Sequence, residues 1–167
     1  MAMQRYPLAK MSTPFLLLTC LLWCLPIGFI AAALSGVAPV LFWPGGLTLG
    51  IYIGVWLLGR PSSFLLSESQ VIVQWPFGSR SYVRDDLVRA ECIDALEFKR
   101  RLGFAVRVGA GGLWGVFGLL WSYRVGWVNV YLSSHKQFVW LEFSGRRPLI
   151  ITPQRDREFL EALKRRA

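Results

Sequence analysis

Hydrophobic and polar positions follow two regimes along this chain, and the change falls at Arg60. From Met11 to Gly59 no Asp, Glu, Lys or Arg interrupts 49 consecutive residues. Within that run, residues 15–34 hold eleven Leu, Ile, Phe or Val and residues 40–58 hold ten. A bilayer-crossing helix needs about 20 apolar residues, so the run predicts two such helices. Each gains roughly 3 to 6 kcal/mol on insertion, and no charge offsets it. The connector, Ser35 to Pro39, carries Gly36 and Pro39, which suit a reversal. Pro26 and Pro44-Gly45-Gly46 predict bends that a bilayer tolerates, because no water competes there for the freed backbone groups. Two other readings compete. The run also fits a helical hairpin in a soluble core, although soluble helices usually keep a polar face. Residues 1–33 also fit a secretory signal, with Arg5 and Lys10 as its basic start and Ala31-Ala32-Ala33 as its cleavage site.

After Arg60 the period shortens. Residues 64–66 and 70–75 read as a strand pair around the turn Ser67-Glu68-Ser69, and Pro76-Phe77-Gly78 leads into a third strand, "SRSYVR". Asp85-Asp86 breaks the run before Val88–Ile93 and Leu96–Lys99, both read as strands. "GWVNVYL" (126–132), "QFVWLEF" (137–143) and "RPLIIT" (147–152) then predict a meander. Thr152-Pro153 opens a closing helix, Thr as N-cap and Pro at the first helical position, with Phe159, Leu160 and Leu163 on one face. Residues 108–123 form a further uncharged run. As a helix it reaches only ~24 Å against a ~30 Å hydrocarbon core. It therefore reads as strands and turns, with a loop dipping into the bilayer as the alternative.

Charge follows the same division. All ten acidic residues and 17 of the 19 basic ones lie beyond Gly59, giving that part a net +7. Basic residues near span ends favour the cytoplasmic side, so Arg5, Lys10, Arg60, Arg80 and Arg84 place both termini in the cytoplasm. The chain divides into residues 1–59, an N-terminal segment with the helical hairpin, and residues 60–167, the cytoplasmic part.

Motifs for chemistry are sparse. There is no phosphate-loop string, "GAGGLWG" (109–115) places Trp114 where a dinucleotide fingerprint needs glycine, and the lone His135 reads as a solvated loop residue. Cys20, Cys24 and Cys92 make neither a zinc spacing nor a redox pair, and read as small apolar fillers. No catalytic, cofactor-binding or metal-ligating residue is assigned, and the chain is read as a non-enzyme. Nucleic acid is not an expected partner, since no recognition motif accompanies the charge. The basic residues Lys99, Arg100, Arg101, Arg146 and Arg147 are the candidates for contact with a partner or the anionic leaflet, worth about 1 kcal/mol for each base near the surface. Trp114, Phe117 and Trp121 are the candidates for apolar insertion.

"GLWGVFG" (112–118), "VNVYLS" (128–133) and "IITPQRDREFLEAL" (150–163) resemble the bacterial pleckstrin-homology-like domain family, whose membrane-anchored members place a helical hairpin before the domain. The resemblance implies an α+β membrane protein: two transmembrane helices, then a small β-barrel of about seven strands capped by a C-terminal helix. It also implies an interaction scaffold in a bacterial cytoplasmic membrane, binding a protein partner or another copy of itself. Phosphoinositide is not an expected ligand, because the first hairpin loop, Ser67-Glu68-Ser69, carries no base. A ligand- or lipid-sensing barrel and an accessory subunit of a membrane enzyme or transporter are the alternative roles.

Overall fold

The computed structural model describes residues 3–165. Its first element is not a membrane helix but a strand, β1 (Gln4–Pro7). Helix α1 (Thr13–Leu34) follows, then a 3₁₀ turn (Pro39–Leu41), helix α2 (Phe42–Gly54) and a π-helical turn (Val55–Gly59). Thr13–Leu34 and Pro39–Gly59 are both long and apolar enough to cross a membrane. Only 11% of either span is buried, so the pair is not a core hairpin enclosed by the sheets. The helices pack on each other. Gly45 sits where a Cβ would lie 3.0 Å from Ile30 Cγ1, so a small residue lets the backbones approach. Tyr52 Oη donates to the Leu22 carbonyl at 3.0 Å. Helix α1 runs unbroken through Pro26, and Pro44 falls in the first turn of α2, where it displaces no helical hydrogen bond.

The remainder forms two sheets. The first has the order β1-β2-β3-β4, with β2 (Ser63–Leu66), β3 (Gln70–Trp75) and β4 (Gly78–Val83), all antiparallel. Because Gln4 pairs with Leu66 and Pro7 with Ser63, the segment before the helices is built into the same sheet as the segment after them. The second sheet runs β5-β9-β10-β8-β7-β6. Its strands are β5 (Leu87–Asp94), β6 (Ala105–Gly111), β7 (Val116–Ser122), β8 (Gly126–Leu132), β9 (Gln137–Phe143) and β10 (Leu149–Ile151).

Period-two alternation sends the side chains of the second sheet to two cores. Val139, Leu141, Phe143, Leu149, Ile151, Tyr131 and Phe117 face the first sheet and helix α4 (Asp156–Lys164). Phe138, Trp140, Ile150, Val128, Val130, Leu132 and Leu120 face helix α3 (Ala95–Leu102). Phe159, Leu160 and Leu163 of α4 are buried in the first core, as their spacing predicts.

Four expectations are corrected. The described residues form no closed barrel and hold ten strands in two sheets rather than about seven in one. The meander is interrupted: β10 lies between β8 and β9, parallel to β8, and its three residues are buried on both faces. Leu96–Lys99 is helical, because Asp94 caps α3 by accepting the Glu97 N–H at 2.7 Å and Gly103 ends it at φ +61°. The last helix starts at Asp156, three residues beyond Pro153. Thr152 is instead drawn into the core, where its hydroxyl accepts the Ser133 N–H at 2.9 Å and its carbonyl accepts the Ala9 N–H.

The Asp94 cap supplies a modest test of this helix. Asp94→Ala is expected to cost about 1 kcal/mol and Asp94→Asn much less, read as midpoints of thermal unfolding.

Candidate functional site

Three neighbourhoods join the helices to the sheets. The first is the tip of the β6–β7 hairpin, residues 112–115. Its Gly112 N–H donates to the Gly115 carbonyl at 2.9 Å, and Trp114 adopts φ +57°, a strained setting for a bulky residue. The Thr19 hydroxyl, buried on α1, accepts the Trp114 N–H at 3.0 Å and lies 2.9 Å from the Gly112 carbonyl. The same hydroxyl is 2.7 Å from the Phe15 carbonyl, so its one proton is shared between the two oxygens. Around this clamp the Trp114 ring meets Trp56 edge-on at 4.8 Å and Trp23 at 6.5 Å, and Trp23 meets Tyr52 at 5.6 Å. Thr19 lies six residues into α1, so the tip stands ~9 Å along that helix from its start.

The second neighbourhood is a groove of about 540 Å³ between the first turn of α1, helix α3 and the outer face of β6–β8. Phe98, Val116, Leu120, Val130, Leu132 and Phe138 form its apolar floor, and Phe15 and Ser134 stand at the end beside α1. Three exposed basic side chains, Lys99, Arg107 and His135, line it from three different elements, and no acidic side chain does. None of the three forms an ion pair with a carboxylate among the described residues. The Phe15 ring meets the His135 imidazole edge-on at 6.4 Å. His135, expected to be a solvated loop residue, is exposed in the connector before β9 and borders this groove.

The other candidates disperse. Arg101 is engaged in a tight ion pair with Glu91, which lowers that carboxyl's pKa, and in a 2.6 Å pair with Glu97. It is therefore not a free surface cation. Arg100 is exposed, and its carbonyl accepts from Arg124 Nη1 at 2.7 Å. Arg146 donates to the Ser81 carbonyl at 3.2 Å, tying the β9–β10 connector to β4, and Arg147 lies 6.0 Å from the Trp127 ring. Phe117 is 1% exposed in the inter-sheet core and cannot insert elsewhere, which corrects its assignment as an insertion candidate. Trp114 is half-buried against the helices. Trp121 is 37% exposed and pairs across β7–β8 with Trp127. Cys92 is not an apolar filler: its thiol faces Asp156 Oδ2 at 3.5 Å, and partial burial with that carboxylate pushes its pKa up to about 11.

A larger cleft of about 720 Å³ lies where the end of α2 meets the β3–β4 turn and the β6–β7 hairpin, with Ile51, Val55 and Leu58 on one side and Arg80 on the other. Among the described residues no group of His, Cys, Asp and Glu is arranged to hold a metal ion. No family model, curated protein or solved structure matches this chain.

Proposed function

We propose that this chain is a membrane-anchored module whose β-domain sits against the bilayer and binds an anionic amphiphile in the groove lined by Lys99, Arg107 and His135. Both helical spans are long and apolar enough to cross the membrane, and the pairing of the strands on either side of them in one sheet supports a single face for both ends of the helical pair. The basic excess beyond Gly59 supports a cytoplasmic position for that face, and the family resemblance supports a bacterial inner membrane. A cleaved signal sequence is disfavoured, because removing residues 1–33 would strip β1 from β2. The chain is read as non-catalytic, and the pleckstrin-homology-like relationship stays part of the proposal.

One observation carries the binding role: three bases distant in sequence stand around one apolar floor, beside the first turn of the helix that enters the bilayer. An apolar floor of this volume with a few polar groups at its edge is the usual form of a small-ligand site. A fatty chain would lie on Leu120, Val130 and Phe138, with its negative head among the three bases. A protein-docking adaptor, including an accessory subunit of a membrane enzyme, has no need of such a groove, so amphiphile binding is preferred.

Native mass spectrometry of the full-length chain, released from mild detergent after exposure to oleate, phosphatidylglycerol or phosphatidylcholine, tests this directly. The wild type is expected to retain the two anionic amphiphiles. At about 1 kcal/mol for each base, removing two weakens retention roughly 30-fold in the Lys99→Gln, Arg107→Gln variant. Equal retention by both proteins would remove the groove from the account, and stoichiometric co-elution of a second protein with no lipid would favour the adaptor reading.

A further inference from the structure

Arg60 closes the second apolar span, and its charge is poorly met by the protein. Its guanidinium carbon lies 4.4 Å from the centre of the Trp56 ring, and the side chain is half-buried. The Nε atom is buried without a hydrogen-bond partner. Among the described residues no carboxylate pairs with it. Burial lowers its pKa from the ordinary value, and the face of Trp56 partly offsets the desolvated charge. Beside it is a cavity of about 220 Å³ bounded by Trp56, Arg60, Pro61, Ser62 and Pro76, again with no acidic wall.

Desolvating a cation without a partner is costly, and an orphaned polar atom in such a place calls for a group the protein itself does not supply. Arginine is the basic side chain best suited to an oxyanion, because its planar donors match two oxygens at once. The position narrows the choice of anion. Arg60 directly follows the apolar span Pro39–Gly59, and its aromatic neighbour Trp56 lies within that span. Tryptophan and arginine at the end of a span belong to the headgroup layer of a bilayer.

We infer that the Arg60 guanidinium and the cavity beside it seat the phosphodiester of a phospholipid from the surrounding leaflet. This site is separate from the groove at Lys99 and depends on the membrane-spanning reading, not on amphiphile binding there. The phosphate would take the guanidinium N–H donors on the cavity side while Trp56 covers the opposite face. Net charge is then balanced locally, and the end of α2 is fixed at headgroup depth.

Magnetic resonance reads this contact directly. Full-length chain with ¹⁵N-labelled arginine is placed in phosphatidylglycerol bilayers, and dephasing of guanidinium ¹⁵N by lipid ³¹P is recorded. The Arg60 signal, identified by its absence in Arg60→Lys, is expected to lose most of its intensity. Full retention of that signal in a chain that still pellets with the vesicles overturns the inference while leaving the anchor intact. A chain that fails to pellet with vesicles overturns the anchor itself. A parallel sample in phosphorus-free detergent with added inorganic phosphate separates the sources: equal dephasing there would assign the cavity to a soluble anion and overturn the lipid assignment.

Discussion

Thr19→Val is expected to destabilise the folded chain by about 2 to 4 kcal/mol, although valine matches threonine in shape. The substitution removes the acceptor of the Trp114 N–H and a donor to the Gly112 carbonyl, both at a buried position on α1. Each orphaned group costs about 1 to 3 kcal/mol where no water can replace the lost partner. Buried backbone polar groups need partners, and the Thr19 clamp supplies them at the hairpin tip. Thermal unfolding in detergent, followed by near-ultraviolet circular dichroism, measures the loss. Thr19→Ser should keep most of the stability, since it retains the hydroxyl. A loss below about 1 kcal/mol for valine would mean that water reaches the tip and that the clamp is not at a dry position.

Gly115→Ala should be at least as damaging, by about 3 to 5 kcal/mol, as a strained backbone and an overpacked contact add together. Gly115 has φ +142°, and a Cβ there would overlap the Leu132 carbonyl oxygen and lie 2.9 Å from Phe117 Cζ. Neither neighbour can retreat, because Leu132 is buried in β8 and Phe117 is buried between the sheets. Gly126→Ala is the matched comparison. It also has a positive φ, +79°, but a Cβ there meets nothing within 4 Å. It should cost about 1 kcal/mol, the left-handed backbone penalty alone. Equal losses at the two positions in chemical denaturation would show that packing against Leu132 contributes nothing.

Much of this architecture is legible in the sequence, and what escapes does so for identifiable reasons. The two apolar spans stand out because nothing charged interrupts them. β2 and β3 are legible from a polar turn between β-branched runs. Helix α3 reads in part as strand because "LEFK" is too short to fix a period, yet Asp94 with Glu97 three positions on, and Gly103 at the end, spell its caps. β1 escapes because four residues, "QRYP", carry too short a pattern, and their partner lies across the entire helical hairpin. Placement of β10 between β8 and β9 is a matter of pairing order, which strand periodicity does not encode.

The groove escapes for a different reason. In the run Lys99-Arg100-Arg101 the three bases appear as one cluster, but successive residues on a helix point about 100° apart. α3 accordingly sends Lys99 to the groove and Arg101 to Glu91 and Glu97. Arg107 and His135, which complete the rim, come from β6 and from the connector before β9. Only the tertiary fold brings them beside Lys99.

The pairing of β1 with β2 has a consequence for biogenesis. Gln4–Pro7 is translated before its partner, Ser63–Leu66, which follows more than fifty residues later, after both apolar helices. The first sheet therefore cannot close until the helical hairpin has been synthesised, and β1 must stay within reach of the later segment. A chain whose β1 failed to reach β2 would leave that strand as an exposed edge, so closure of the sheet depends on the two ends of the helical pair staying together.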